Sequence, residues 1–302
     1  MVYDLIIIGA GPGGLTAALY ASRSRLSTLI LERAAPGGQI VNADRIEDFP
    51  GFPDGVSGID LSQYLLSQAT KFDAQVSFAE ALGVVRDGGL KIVATSEGEQ
   101  RARAIIVASG ADVEKLGVPG EETFLGRGVS HCATCDGAFF RDQPVAVVGG
   151  GNIALMEALY LADMASQVYL IHHQGRLEAQ KVLQDRASSH PRIRFLGDTH
   201  VEAVEGEDGV KSVALRNGKT GARSSCPVSG IFIYRSFRPN TAFLKDVLTL
   251  DASGHIPVGR HGETEATGIF AVGDVCRGSS GLAITAAGEG AVAALQVEKH
   301  LV

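Results

Sequence analysis

Two cysteines, Cys132 and Cys135, stand three apart, with Ala133-Thr134 between them and Asp136-Gly137 directly after. At that spacing two thiols can close a small ring reversibly. The chemistry open to them is thiolate attack and disulfide exchange, which needs one sulfur activated and reachable. A structural zinc site would draw on two further ligands, but Cys226 and Cys276 stand singly and form no second pair. Two inert buried cysteines are the other alternative, and they would not need this flanking sequence. The residues favour a redox pair. No metal is expected, and Cys226 and Cys276 are read as structural or incidental.

A second chemical signal, a phosphate-binding turn, is written twice. Gly9, Gly11 and Gly14 keep the G-x-G-x-x-G spacing after the apolar run Leu5 to Ile8, with Pro12 and Gly13 completing the turn. The first glycine permits the tight turn, the second lets a pyrophosphate approach the backbone, and the third lets helix and strand pack closely. The helix start then offers free N–H groups to the phosphates. Glu32, at the end of the next strand, falls where an acid accepts ribose hydroxyls. A glycine-rich turn without a ligand is the bland alternative, and strand, helix and acid together argue against it. The second copy is Pro144 to Val148 followed by Gly149, Gly151 and Ala154, with Asn152 and Ile153 opening the helix. Its following strand, Val168 to Ile171, ends in His172-His173 rather than in an acid.

Each turn needs a strand before it and a helix after it, here running to Ser24 and to Met164, then a second strand, Thr28 to Leu31 and Val168 to Ile171. Two such βαβ units predict an α/β protein of two doubly wound, Rossmann-like dinucleotide-binding domains, each a three-layer ββα arrangement. The 302 residues suit two domains. Gln75 to Gly83 and Gly89 to Val107 alternate enough to predict antiparallel strands, and Arg192 to Leu215 and Gly230 to Ile233 correspond to them in the second half. Gly268 to Asp274 reads as a buried strand and Thr285 to Leu301 as a closing helix. The expected division is a first nucleotide-binding domain, 1–112 and 243–302, with an inserted domain, 113–242, that carries the cysteine pair and the second turn. Glycine, 38 residues, is in excess without a Gly-X-Y period, which assigns it to turns and close approaches. The balance of 27 basic against 34 acidic residues leaves a net charge of −7 and no basic run, so nucleic acid is not an expected partner. Neither a signal-peptide pattern nor a membrane span is present, which makes a soluble cytoplasmic protein the expectation.

Over nearly its whole length the chain resembles the low-molecular-weight, bacterial-type thioredoxin reductases. The matching pieces are Gly9–Gly14, Gly37-Gly38-Gln39, Glu47-Asp48-Phe49-Pro50-Gly51-Phe52, Gly126-Arg127-Gly128-Val129-Ser130, Cys132–Gly137 and Gly273-Asp274. The resemblance implies FAD in the first domain, held by Gly9, Gly11, Pro12, Gly13, Gly14, Glu32, Arg33, Gly38, Gln39, Asn42, Gly110, Gly273, Asp274, Leu282 and Ala283. Asp274 would reach the ribityl-phosphate region. It further implies that the Cys132–Cys135 disulfide exchanges electrons with the flavin, Cys135 facing it and Cys132 attacking the disulfide of a thioredoxin-like protein. Asp136 would handle the thiol proton. A homodimer is expected on the same ground. His131 stands where the family commonly has tyrosine, either lowering a thiol pKa or idle at the surface.

The chain departs from the family in one place above all. A 2′-phosphate needs fixed cationic partners, but His173 and Gln174 occupy the positions of the family's arginine pair and Glu178 that of a further arginine. Met156 replaces a glutamate on the helix after the second turn, and Ser280-Gly281-Leu282 replaces Tyr-Arg-Gln near the flavin. Tyr234-Arg235-Ser236 replaces Ala-Ile-Gly where a nicotinamide would lie. The expectation is therefore a flavin disulfide reductase of a pyridine-nucleotide-independent branch, its donor a ferredoxin-type protein or a second FAD. The second site would comprise Gly149, Gly151, Asn152, Ile153, His173, Tyr234 and Arg235, with Tyr234 stacking on an isoalloxazine and Arg235 pairing with a phosphate, unless these two merely plug an abandoned pocket. Two rivals stand beside it: an ordinary NADPH-dependent thioredoxin reductase using Arg176, and a flavin redox sensor without turnover.

Overall fold

The computed structural model describes residues 1–302, and the chain divides into two compact units, Met1–Asp112 with Arg238–Val302, and Val113–Phe237. In the first unit, β1 (Val2–Ile8) sends Leu5 and Ile7 into one core and Ile6 and Ile8 into the other. A parallel strand covered on both faces reads as a continuous apolar run rather than as an alternation. Gly11 caps α1 (Pro12–Arg23), where Pro12 takes the first helical position, the one place its missing N–H costs nothing. β2 (Thr28–Glu32) pairs parallel with β1. Ser57 caps α2 (Gly58–Thr70) by accepting the Asp60 N–H.

The next strands differ from the antiparallel expectation. β3 (Gln75–Phe78) lies parallel to β2, and only β4 (Ala81–Asp87), β5 (Leu90–Thr95) and the first half of β6 (Gly98–Val107) form an antiparallel meander. The second half of β6 runs parallel beside β1. One strand thus serves two neighbourhoods. Its first residues are mostly exposed, while Ala104 to Val107 are wholly buried, and a single period fits neither half. The sheet order is β3-β2-β1-β6-β5-β4, which puts the first glycine turn at the carboxyl end of a central strand.

β7 (Ala111–Val113) carries the chain out of the first unit. The inserted unit then runs through β8 (Val129–Ser130), α3 (Ala133–Asp136), β9 (Pro144–Val148), α4 (Asn152–Ala162), β10 (Gln167–Ile171), α5 (Lys181–Ser189) and β11 (Ile193–Leu196). After these come β12 (Thr199–Gly206), β13 (Val210–Asn217), β14 (Arg223–Pro227) and β15 (Gly230–Ile233). Five strands form a parallel sheet, β11-β10-β9-β15-β8. Its helix side closes on Leu155, Leu161, Leu183 and Phe232, and the antiparallel layer β12-β13-β14 covers its other face through Val204, Val213 and Leu215. Of the stretch expected to be antiparallel here, β11 is instead the parallel edge strand.

β16 (Phe237–Pro239) brings the chain back, and β17 (Ile269–Ala271) joins β6 in parallel next to β5's end of the sheet. The closing helix, α6 (Ala283–Leu301), begins two residues before its expected start. It packs on α1 through small residues: a methyl group on Gly290 would lie 2.1 Å from the Gly13 carbonyl oxygen. No helix is long and apolar enough to cross a membrane.

Candidate active site

Cys132 and Cys135 are joined in a disulfide, with their Cα atoms 5.3 Å apart. Cys132 has extended backbone angles and caps α3, so the Cys135 N–H points back at its Sγ, 3.2 Å away. A donor aimed at that sulfur favours its thiolate once the bond is reduced. Ser130, two residues earlier, ties the turn together. Its Oγ accepts the Cys132 N–H at 3.0 Å and donates to Asp136 Oδ2 at 2.6 Å. The Asp136 carboxylate is therefore fixed beside the pair and only partly shielded from water. Cys135 is the more exposed residue of the two. His131 Nδ1 lies 3.4 Å from the Ile233 carbonyl. Cys226 and Cys276 are buried in separate cores, and burial pushes the Cys276 thiol up to about 12, helped by the Glu289 and Asp274 carboxylates.

The first glycine turn shows three distinct jobs. A methyl on Gly9 would lie 2.3 Å from the Ala108 carbonyl oxygen, and one on Gly14 2.0 Å from that of Gly9. A methyl on Gly11 would meet no protein atom nearer than 4.0 Å. Gly9 and Gly14 are thus required by the fold, whereas Gly11 borders open space, as a pyrophosphate approach demands. No side chain caps α1 and no acid sits in its first turn, so its N–H groups stay available to an anion. Glu32 accepts the Ala10 N–H at 2.8 Å and the Ala34 N–H at 2.9 Å, which aims the carboxylate along the rim of the turn. Arg33 is paired with Asp112 at 2.6 Å. Gln39 donates to the Ala111 carbonyl and accepts from Asn42, while Gly38 and Gly110 hold positive φ in the adjoining loops. Gly273, at φ 75°, gives its N–H to Glu289, Asp274 accepts from Ser279, and Leu282-Ala283 form the uncapped start of α6. These residues fit a dinucleotide such as FAD.

The second turn repeats the plan. A methyl on Gly149 would strike the Tyr234 carbonyl oxygen at 2.4 Å, Ala154 is buried, and Gly151 faces open space. The Gly150 carbonyl accepts the N–H groups of Glu178 and Ala179, and Asn152 Oδ1 accepts that of Gln180, so the loop after β10 straps back over the turn. Ile153 sits in the first turn of α4. At the carboxyl ends of β9 and β10 opens a cavity lined by Gly149, His172, His173, Thr199, His200 and Arg235, among others. Arg176 and Glu178 lie exposed on the strap and do not line it.

Tyr234 corrects its expected role. It is only 4% exposed, packed among Leu155, Leu161 and Phe232, and its hydroxyl accepts the Ala133 N–H at 2.9 Å. Burial holds its phenol far above the usual range. With both ring faces in the core it cannot stack on an isoalloxazine; it braces the first residue of the redox helix instead. Sequence reasoning missed this brace, the Ser130–Asp136 bond, Glu289 and His200. Only Ser130, two residues from Cys132, offered a local signal.

A family model for pyridine nucleotide-disulphide oxidoreductases matches residues 3–290. The thioredoxin reductase of Listeria innocua is 44% identical over 303 residues, covering 99% of this chain and 94% of that protein. That of Bacillus subtilis is 40% identical over 301 residues, covering 99% and 95%. The crystal structure of Lactococcus lactis thioredoxin reductase superposes with a TM-score of 0.97 at 40% identity, covering 99% of each chain. These similarities favour the ordinary reductases over the pyridine-nucleotide-independent branch expected from the sequence.

Proposed function

The chain belongs to the pyridine nucleotide-disulphide oxidoreductases, among the low-molecular-weight thioredoxin reductases, and is a flavin-dependent disulfide oxidoreductase; from that premise we propose that it carries electrons from NADPH to the disulfide of a thioredoxin-like protein. The observation that carries the reading is the presence, in one chain, of a closed Cys132–Cys135 disulfide held to Asp136 and two complete glycine cradles.

Bound FAD supplies the two-electron relay between nicotinamide and disulfide. Gly11 and the start of α1 would hold its pyrophosphate in the turn that Gly9 and Gly14 shape, Glu32 would take ribose hydroxyls and Asp274 the ribityl side. Reduction of the Cys132–Cys135 bond consumes two electrons and two protons and leaves two thiols. Asp136, oriented by Ser130, takes the proton from the attacking sulfur. Cys132, whose thiolate the Cys135 N–H favours, attacks the partner's disulfide, and one partner sulfur leaves as a thiol. Cys135 then attacks Cys132 Sγ in the mixed disulfide, displacing the partner's remaining sulfur as the second thiol and restoring the starting bond. Cytoplasmic location and a homodimer are retained as parts of the proposal.

A second reading has its own support: no arginine stands at 173, 174 or 178, so a ferredoxin-type donor, or a second FAD in the second cradle, would leave NADPH without a role. Turnover separates the readings. With NADPH and a bacterial thioredoxin, the wild type should consume NADPH continuously, whereas Cys132→Ser should keep its FAD and fall to background. Retained turnover in that variant would overturn the mechanism. Absence of turnover in a wild type that still works with chemically reduced ferredoxin would overturn the donor.

A further inference from the structure

The second cradle lacks the guanidinium pair that a 2′-phosphate calls for, yet its rim is not neutral. His173 lies two residues beyond the end of β10, the place where the 2′-position of a bound ribose falls after a glycine turn. Its ring centroid is 5.9 Å from that of His200, which comes from β12 in the neighbouring antiparallel layer. Both rings line the cavity that Gly149 also walls, and Arg235, expected from the sequence at the nicotinamide end, instead closes this cavity near His200, two residues past β15. His172 lies behind them, 8% exposed, with a buried Nδ1 that makes no hydrogen bond. Three imidazoles and a guanidinium thus converge on one opening at the carboxyl ends of the parallel strands, where ligands of such sheets bind.

We propose that His173 and His200, with Arg235, are the specificity-determining residues for the 2′-phosphate of NADPH, and that binding it draws a proton onto His200. The inference rests on the NADPH reading above and says how a site without the arginine pair prefers NADPH to NADH.

The surrounding charges set the direction. His200 faces His173, Arg216 from β13 and Arg235, and on its own strand Glu202, which is already paired with Arg216 and Arg223. Burial and the three basic neighbours lower its proton affinity when the site is empty. Behind it, burial lowers the proton affinity of His172, and the nearby Asp198 is paired with Lys219. A phosphate dianion placed between the rings reverses the field at His200 and favours its charged form. Proton uptake therefore accompanies binding from neutral pH upward. Below about pH 6 the phosphate itself protonates and the gain is lost.

Two measurements on the FAD-loaded protein test this. In the first, KM for NADPH should rise between pH 6.5 and 8.5, approaching tenfold per unit for one linked proton, while KM for NADH stays flat. His200→Asn and His173→Asn should each flatten the NADPH profile and raise its KM about tenfold or more at pH 6.5, the loss of a charged hydrogen bond. In the second, calorimetric binding of 2′,5′-ADP in buffers of different ionisation enthalpy should show proton uptake that His200→Asn removes and that 5′-AMP lacks. A pH-independent NADPH preference, or one that survives both substitutions, would overturn the inference. Failure of NADPH to reduce the flavin at any pH, with 2′,5′-ADP still taking up its proton, would overturn the donor reading and leave the phosphate site standing.

Discussion

The two glycine turns share a backbone and differ at the strand that follows. In each, the first glycine is enforced by a carbonyl at about van der Waals overlap, the second borders open space, and the loop after the next strand bonds back to the middle residue of the turn, Gly37 N–H to Ala10 in one and Glu178 and Ala179 N–H to Gly150 in the other. The first strand ends in Glu32, an acceptor for ribose hydroxyls; the second runs on into His172 and His173, a buried imidazole and an exposed one. Cradle geometry therefore says that a dinucleotide fits, and the residue at the strand end says which.

The sharpest way to break the comparison is to fill the glycines that the fold needs. Gly14→Ala and Gly149→Ala should each destabilise by about 3 kcal/mol or more, since the new methyl would meet carbonyl oxygens and alanine Cβ atoms that cannot swing aside. A shift of several degrees or more in thermal midpoint, seen in protein stripped of cofactor, would register it. Gly11→Ala and Gly151→Ala should leave that midpoint unchanged. The former should purify with depleted flavin; the latter should hold full flavin and show a raised KM for NADPH. Equal behaviour of all four would mean that the second glycines are not ligand positions.

A smaller effect tests the brace beneath the redox helix. Tyr234→Phe leaves the Ala133 N–H without its acceptor, and about 1–3 kcal/mol should be lost, visible as a lower denaturation midpoint with flavin content unchanged. An unaltered midpoint would show that Tyr234 serves packing alone. Smaller still is a pH effect at the second strand end. Burial lowers the His172 pKa, so the unfolded chain binds a proton that the folded one refuses. Stability from this group is present above about pH 6.5, the ordinary histidine value, and is lost as pH falls below it. His172→Asn should flatten the stability profile between pH 6.5 and 5; an unchanged slope would place the titrating group elsewhere.

What could be read from the sequence was local. The glycine turns, Glu32, the cysteine pair and Asp136 lie within short windows whose spacing carries their geometry. Features assembled by the fold were not legible. Tyr234 and Ala133 are 101 positions apart, and from sequence the tyrosine looked free to stack on a ligand. His200 gave no signal beside His173, because only the packing of β12 against the parallel sheet brings the two rings together. β6 misled for a related reason: half of it belongs to a meander and half to a parallel sheet. The loss of the arginine pair was legible residue by residue, but the donor inferred from it is not the one that the similarity to ordinary reductases favours.

Anaerobic titration of the purified protein with NADPH, following flavin absorption and counting flavin per chain in the same sample, tests the central claim most directly. One FAD per chain, bleached promptly by stoichiometric NADPH, is the expected result. One FAD that NADPH leaves oxidised would contradict it, and two flavins per chain would make the second cradle a flavin site.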